Sequence, residues 1–349
     1  MKSLVYKGPG KIELKEIPIP NIQEDEVLIK VKYAAVCATD LRIFKGKKSV
    51  SYPRILGHEF AGVIEKVGKH LLNWSVRDKV TVYPLISCGE CYACKAGQKN
   101  ICINRKTIGY DYDGGFAEYV RIPAKAIQMG NLIKLPKNVN FKEAAVSEPL
   151  AAAYNGIVKS NLKEGEVILI IGAGPIGLFH IELARLRKPS LIIVSEPMEE
   201  KRKLAKLLGA DVVVDPLKDS LKDCIEINTN GFGVDKILLD VSSPKIIEDT
   251  LDILKKGGTY VVFAGSPEGS TITIDPNIIH YKELKFTGAS GSTPEYHQEV
   301  LRLISSKEID VTPFIKDTFL LEEWETAFDQ KDKFQSLKPL FEIGGERKR

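Results

Sequence analysis

A chain of 349 residues, 44% hydrophobic and 28% charged, has the make-up of an ordinary globular protein and the length for about two domains. Its net charge is only +4 and its basic and acidic residues are interleaved, which excludes the concentrated basic face of a nucleic-acid binder. No apolar run reaches the roughly 18 to 20 residues needed to span a bilayer, and the N-terminus has no signal-peptide core. The chain therefore reads as soluble and cytoplasmic, and its six cysteines need an explanation other than disulfides.

In the first third, residues 27–33 alternate apolar and charged side chains, as a half-buried strand does. Residues 60–67 and 79–83 repeat the pattern with Gly and Asp between them, which predicts a barrel or sandwich of antiparallel type. Two short polar motifs interrupt these strands, Cys37-Ala-Thr-Asp40 and Gly57-His-Glu59. Alone each is weak, since a single Cys is usually a small core residue and a single His is more often structural than a ligand. Cys88, Cys91, Cys94 and Cys102 follow in one short loop, where four thiolates match a tetrahedral structural zinc site. Such a site has no open coordination position, so no chemistry is assigned to it.

The character changes near residue 150. Residues 167–171 form a continuous apolar run, as expected of a parallel strand buried on both faces, and helical periodicity covers 175–187. Further strand candidates at 191–194, 211–214, 236–240, 259–264 and 284–287 alternate with helical stretches at 199–208 and 245–255, which predicts a doubly wound parallel sheet. Gly172-Ala-Gly174-Pro175-Ile176-Gly177 lies directly between the first of these strands and its helix, the context a dinucleotide site requires. The first glycine permits a tight turn, the second lets a pyrophosphate approach the backbone, and the third lets helix and strand pack closely. Pro175 suits an early helix position whose free amides face an anion. Glu196, at the end of the second strand, suits hydrogen bonds to ribose hydroxyls and favours NAD over NADP, a preference that Lys201 and Arg202 soften. After about residue 290 the pattern is mixed, with an amphipathic helix at 295–305. Arg347-Lys348-Arg349 reads as a solvated tail after Gly344-Gly345.

Taken with Gly114-Gly-Phe-Ala-Glu-Tyr119 and Glu148-Pro-Leu150, these motifs resemble the zinc-containing medium-chain dehydrogenases, the superfamily of alcohol, sorbitol and threonine dehydrogenases. The resemblance covers essentially the entire chain and is strongest to the sorbitol (polyol) and threonine branch. It implies an α/β protein with a GroES-like, β-rich catalytic domain at 1–150, an NAD-binding doubly wound Rossmann domain at 151–290, and a return to the catalytic domain at 291–349. Two zinc ions and NAD are the implied cofactors. By the resemblance, Cys37 and His58 bind the catalytic zinc, and Glu59 is a ligand in the polyol branch. Glu148 replaces the second cysteine of alcohol dehydrogenases, either as a ligand or holding a water there. One thiolate, one imidazole and a carboxylate leave a position open for a substrate oxygen, on which zinc acts as a Lewis acid.

Thr39 is implied to accept the alcohol proton and pass it to the cofactor ribose, and Asp40 to orient His58. Gly172, Gly174, Pro175, Ile176, Gly177, Glu196 and Lys201 are the implied cofactor-binding residues. Two positions depart from the family. Arg42 stands where a histidine often completes the proton path, and it cannot deprotonate at working pH, so the proton is expected to leave through water. Arg42 is then free for a cofactor phosphate or a substrate anion. Ala38 replaces the usual glycine. The implied function is hydride transfer between NAD and a polar secondary alcohol or ketone, a polyol, in a homotetramer with no nucleic-acid or membrane partner. The alternatives are an L-threonine 3-dehydrogenase, a butanediol or sugar-phosphate polyol dehydrogenase, and a non-catalytic binding protein. The last conflicts with the intact Cys37, His58, Glu59 and Glu148. Tyr110, Tyr112, Arg54 and Phe116 are candidate pocket liners.

Overall fold

A computed structural model describes residues 1–345, and the basic tail at 347–349 lies outside them. The chain forms two compact units, one of Met1–Ala151 with the segment from Gly291 onward, the other of Ala152–Ser290.

In the first unit the strand Val27–Ala35 is the hub. It pairs antiparallel with Glu59–Val67, Tyr119–Ile122 and Leu340–Glu342, and the seven-stranded sheet continues through Lys79–Val82 and Leu132–Lys134. Val27, Leu28, Ile29 and Val31 are all buried and Lys30 and Lys32 less so, so the half-buried alternation read from the sequence holds only from Ile29 to Lys32. Among the described residues, only Thr318–Phe319 runs parallel to its neighbour in this sheet. Ala35 lies opposite Glu59 on one side and Leu340 on the other, so the register brings segments remote in sequence to an end at one place.

The second unit is a six-stranded, all-parallel Rossmann sheet in the order Val212–Val214, Leu191–Ser195, Val167–Ile171, Val234–Leu239, Leu254–Val262 and Lys285–Gly288. The central strand Val167–Ile171 is buried at every position, as its unbroken apolar sequence requires. The helix expected at 245–255 is shorter, running Pro244–Thr250, with a single 3-10 turn before the strand that begins at Leu254. Thr250 marks the change: its hydroxyl bonds back to the Ile246 carbonyl and meets the Tyr260 hydroxyl at 3.0 Å. Leu254 then joins the ladder opposite Val234, a pairing that helical periodicity alone does not register. Among the described residues no helix is long and apolar enough to cross a membrane.

Candidate functional site

Cys37 follows the hub strand and stands at the N-cap of the helix Ala38–Phe44. Its backbone N–H donates to the Asp40 carboxylate at 2.9 Å, one half of a capping box. That bond fixes the fully buried Asp40, whose other oxygen lies 3.5 Å from His58 Nδ1. Just before the neighbouring strand, Gly57 turns the chain at φ +89 against the Phe116 ring, where a Cβ would collide, and delivers His58 and Glu59. Cys37 Sγ, a His58 ring nitrogen and a Glu59 oxygen come within 4.8 Å of one another. The His58 ring is held from behind, because Nδ1 faces Asp40 and the Tyr110 hydroxyl at 3.1 Å. Nε2 faces Glu59, 3.9 Å from Oε1. A thiol, an imidazole and a carboxylate converging in a buried place form a donor set that fits zinc.

The cluster holds a partner that the motifs did not indicate. Lys338 Nζ donates to both oxygens of Glu59 at 2.6 Å, and the two side chains are 4% and 0% exposed. The Leu340–Ala35 register carries Lys338 to this spot from the far end of the chain. Burial works against the ammonium, but Glu59 and Cys37 outweigh it and hold it charged. Glu148, near the start of the helix Ser147–Ser160, is half-buried and stands outside the three-residue cluster. Withdrawal from water pushes its carboxyl up to about 7, with His58 opposing the shift and Glu59 adding to it.

Thr39 is half-buried, and its side chain bonds Tyr110, so Tyr110 bridges Thr39 and His58. Arg42 is exposed in the last turn of its helix. Two of the candidate liners are otherwise engaged. Phe116 is fully buried in the core, 5.1 Å from the Phe341 ring, and Arg54 is paired with Asp113 at 3.2 Å. Tyr112 is partly buried against the same core.

In the four-cysteine loop, sulfur separations of 3.5 Å for Cys91–Cys94 and 3.9 Å for Cys88–Cys94 and Cys91–Cys102 exclude disulfides. They match the edge of about 3.8 Å expected for a tetrahedron of thiolates with Zn–S near 2.3 Å. Backbone N–H groups of Cys88 and Cys91 point at the sulfurs of Cys102 and Cys88, and such donors stabilise thiolates. This is a structural zinc site of four cysteines.

In the second unit, Gly172 turns at φ +101 against Val241, and a Cβ at Gly177 would run into the Gly172 carbonyl. Gly174 differs from both: a Cβ there would meet no atom of the described residues within 4 Å. Protein packing thus gives no reason for glycine at that position, whereas a close-lying pyrophosphate does. The helix Pro175–Arg185 starts with Pro175 and no side-chain cap, leaving its first-turn amides, Ile176 and Gly177 among them, available to an anion. Glu196 is buried, and its carboxylate accepts from the Ala173 N–H at 2.8 Å and the Met198 N–H at 2.9 Å, which clamps the glycine turn to the end of the second strand. Arg202 is committed elsewhere, to the carbonyls of Glu196 and Pro197 and to the Asp215 carboxylate at 3.1 Å. Lys201 is half-buried and feels the charge of Glu196.

Next to Glu148, Ser147 donates its hydroxyl to the Ala144 carbonyl and so accepts from His297 Nε2 at 2.6 Å, while His297 Nδ1 has no partner among the described residues. Complete burial lowers the His297 pKa from 6.5 to about 3. The unfolded chain therefore takes up a proton below about pH 6.5 that the native state refuses, and stability falls as pH drops from there toward 3. Between pH 7 and pH 5 this one residue should remove about 2 kcal/mol. Urea titrations at the two pH values should show that loss shrinking in His297→Gln; an equal loss in both proteins would count against the buried neutral ring.

A glycine turn that presents amides to a pyrophosphate, and a cluster suited to a Lewis-acid metal, serve together in zinc-dependent NAD(P) dehydrogenases that act on CH–OH groups, and the chain is of that class. Two family models match it, the alcohol dehydrogenase GroES-like domain over residues 23–137 and zinc-binding dehydrogenase over residues 175–306. The chain belongs to the zinc-containing medium-chain alcohol dehydrogenase family. It is 36% identical to the L-threonine 3-dehydrogenase of Pyrococcus horikoshii over 337 residues, 94% of each chain. To the sorbitol dehydrogenase of Halalkalibacterium halodurans it is 31% identical, covering 97% of this chain and 98% of that one. Among solved structures, a zinc-binding dehydrogenase of Sinorhizobium meliloti bound to NADP superposes with a TM-score of 0.91 at 30% identity, over 97% and 98% of the two chains. The short chain alcohol dehydrogenase of Escherichia coli CFT073 complexed with NADH superposes at 0.90 with 28% identity, over 98% and 99%.

Proposed function

We propose that this protein oxidises a polar secondary alcohol, a polyol, with NAD as the hydride acceptor, and reduces the matching ketone. The make-up of the buried cluster supports this most: Cys37 is its single thiol, while Glu59 and the nearby Glu148 supply carboxyl oxygens. Glu59 is engaged by Lys338, so Glu148 is the carboxyl whose oxygens favour a substrate with several hydroxyls over a hydrocarbon chain. We assign Cys37, His58 and Glu59 as zinc ligands, with Glu148 as a fourth donor or acting through a water. Zinc when bound supplies Lewis acidity to a substrate oxygen, and NAD supplies the hydride acceptor. Asp40 and Tyr110 hold the His58 ring in one orientation. Thr39 Oγ1 takes the hydroxyl proton and releases its own toward water, a path that the ribose of a bound cofactor would extend, because the exposed Arg42 cannot serve as the relay.

NAD is favoured over NADP because the Glu196 carboxylate repels a 2′-phosphate and Arg202 is held by its own loop. Glu196→Ser is expected to raise the NADP-to-NAD ratio of kcat/KM by at least about tenfold, a change of about 1.4 kcal/mol in relative transition-state binding. An unchanged ratio would remove Glu196 from cofactor choice. A homotetramer in the cytoplasm completes the reading. The edge strand Lys285–Gly288, with Phe286 38% exposed, supports self-association, and light scattering in solution tests it. Substrate choice is tested by initial rates of NAD reduction with polyols (free and phosphorylated), L-threonine and butanediols. The highest kcat/KM is expected on a polyol with a secondary hydroxyl, and a clear preference for L-threonine or butanediol would overturn that part.

A further inference from the structure

The charges at the reactive cluster do not close on themselves. Lys338 is committed to Glu59 by two bonds. A second ammonium, Lys48, stands beside the cluster without such a partner. Its Nζ lies 3.9 Å from the centroid of the Tyr110 ring, and the hydroxyl of that ring is 3.1 Å from His58 Nδ1. One aromatic ring therefore separates Lys48 from the His58 imidazole. Lys48 is half-buried, and among the described residues it forms no ion pair with a carboxylate. Its neighbours are treated differently: Lys45 reaches Asp332, and Arg54 reaches Asp113. The charges felt at Lys48 are Cys37 and Asp40 of the cluster itself, opposed by two more cations, Arg105 and Arg42.

We propose that Lys48 reads an anionic group on the substrate, so that the preferred alcohol is a polyol carrying a phosphomonoester or a carboxylate. This inference rests on the dehydrogenase reading above and narrows its substrate. A lysine present only to offset the charge of Cys37 and Asp40 would rest on a carboxylate. Lys48 rests on the face of a ring, which attracts a cation without neutralising it. Part of its hydration is already lost in the folded state, so an arriving anion meets an ammonium that is cheap to desolvate further and gains a charge-assisted hydrogen bond. A neutral hydroxyl gains only an ordinary one. Arg42 and Arg105 add to the positive potential, which Lys48 alone would share with the negative cluster.

The test uses the zinc-loaded full chain and a matched substrate set: a neutral polyol, its terminal phosphomonoester, and the corresponding polyhydroxy carboxylate. The native protein is expected to show kcat/KM at least tenfold higher for an anionic member than for the neutral one, and the two anionic arms identify which group is read. Lys48→Met should cut that anionic-to-neutral ratio at least tenfold, chiefly through KM, and Lys48→Arg should restore most of it. Rising salt should lower the ratio in the native protein more than in Lys48→Met. Zinc content and NAD affinity, followed by fluorescence titration, are measured on each variant. Preference for the neutral polyol, or a ratio unmoved by Lys48→Met, would overturn the inference. So would a loss confined to NAD affinity or to zinc content, because the lysine would then serve the dinucleotide or the cluster. Failure of every substrate to reduce NAD would instead strike the dehydrogenase reading itself.

Discussion

Cys37→Ser and His58→Ala are each expected to lower turnover by about a thousandfold or more while the chain stays folded, binds NAD, and retains one zinc ion of two. The size follows from the chemistry. A Lewis acid at the substrate oxygen contributes several kcal/mol to the transition state, and each 1.4 kcal/mol is a factor of about ten. Folding should survive because both residues stand at strand and helix ends, whereas the core is carried by residues such as Phe60, Phe116 and Phe341. The NAD site and the four-cysteine zinc site are built from other residues, so each variant acts as its own control. Metal analysis together with turnover checks the result. Full activity in either variant would remove Cys37 and His58 from the assigned zinc chemistry.

Lys338→Met is expected to destabilise the protein by about 3–5 kcal/mol, because it leaves the Glu59 carboxylate buried without its cation. The cost should be greater after chelation, when no metal ion shares that charge. Lys338→Arg should recover part of the loss. Glu59→Gln added to Lys338→Met should recover more, since it removes the stranded charge itself. Melting temperatures of the native protein, Lys338→Met, Glu59→Gln and the double variant, with and without zinc, form the cycle, and Lys338→Arg is measured beside them. If Lys338→Met melted with the native protein in the chelated state, Lys338 and Glu59 would not form a buried ion pair.

What the sequence made legible depended on distance along the chain. The Cys88–Cys102 loop and the turn from Gly172 to Gly177 are local, so spacing alone carried them. Cys37 and His58 meet only because Ala35 pairs with Glu59 across the sheet, and the pattern of single residues is mute about that register. Family resemblance bridged the gap. Lys338 had neither aid: it sits in Ser336-Leu-Lys-Pro339 with no motif and reaches Glu59 through a third strand. The one available hint was the apolar Leu340-Phe341 that follows it, which marks a strand able to draw a neighbouring lysine inward.

The partners of cations depend on remote residues in the same way. Arg54 looked available in the sequence because Asp113, which engages it, is remote in the chain, whereas Lys48 became significant only once Tyr110 was seen beneath it. Glu196 shows the opposite case. Its position at a strand end suggested a ribose contact, and the structure adds that the same carboxylate fastens the glycine turn through two backbone N–H groups.

Whether a zinc-bearing Cys37/His58/Glu59 cluster serves hydride transfer from a secondary carbinol to NAD can be decided with an isotopic label. A polyol or polyol phosphate deuterated at the carbinol carbon is supplied, and the label is followed into the reduced nicotinamide by mass spectrometry. The assay is run before and after chelation and after zinc is restored. The expected result is one deuterium per NADH formed, loss of transfer on chelation, and its return with zinc. Transfer that persists in the chelated protein, or reduced cofactor without the label, would contradict it.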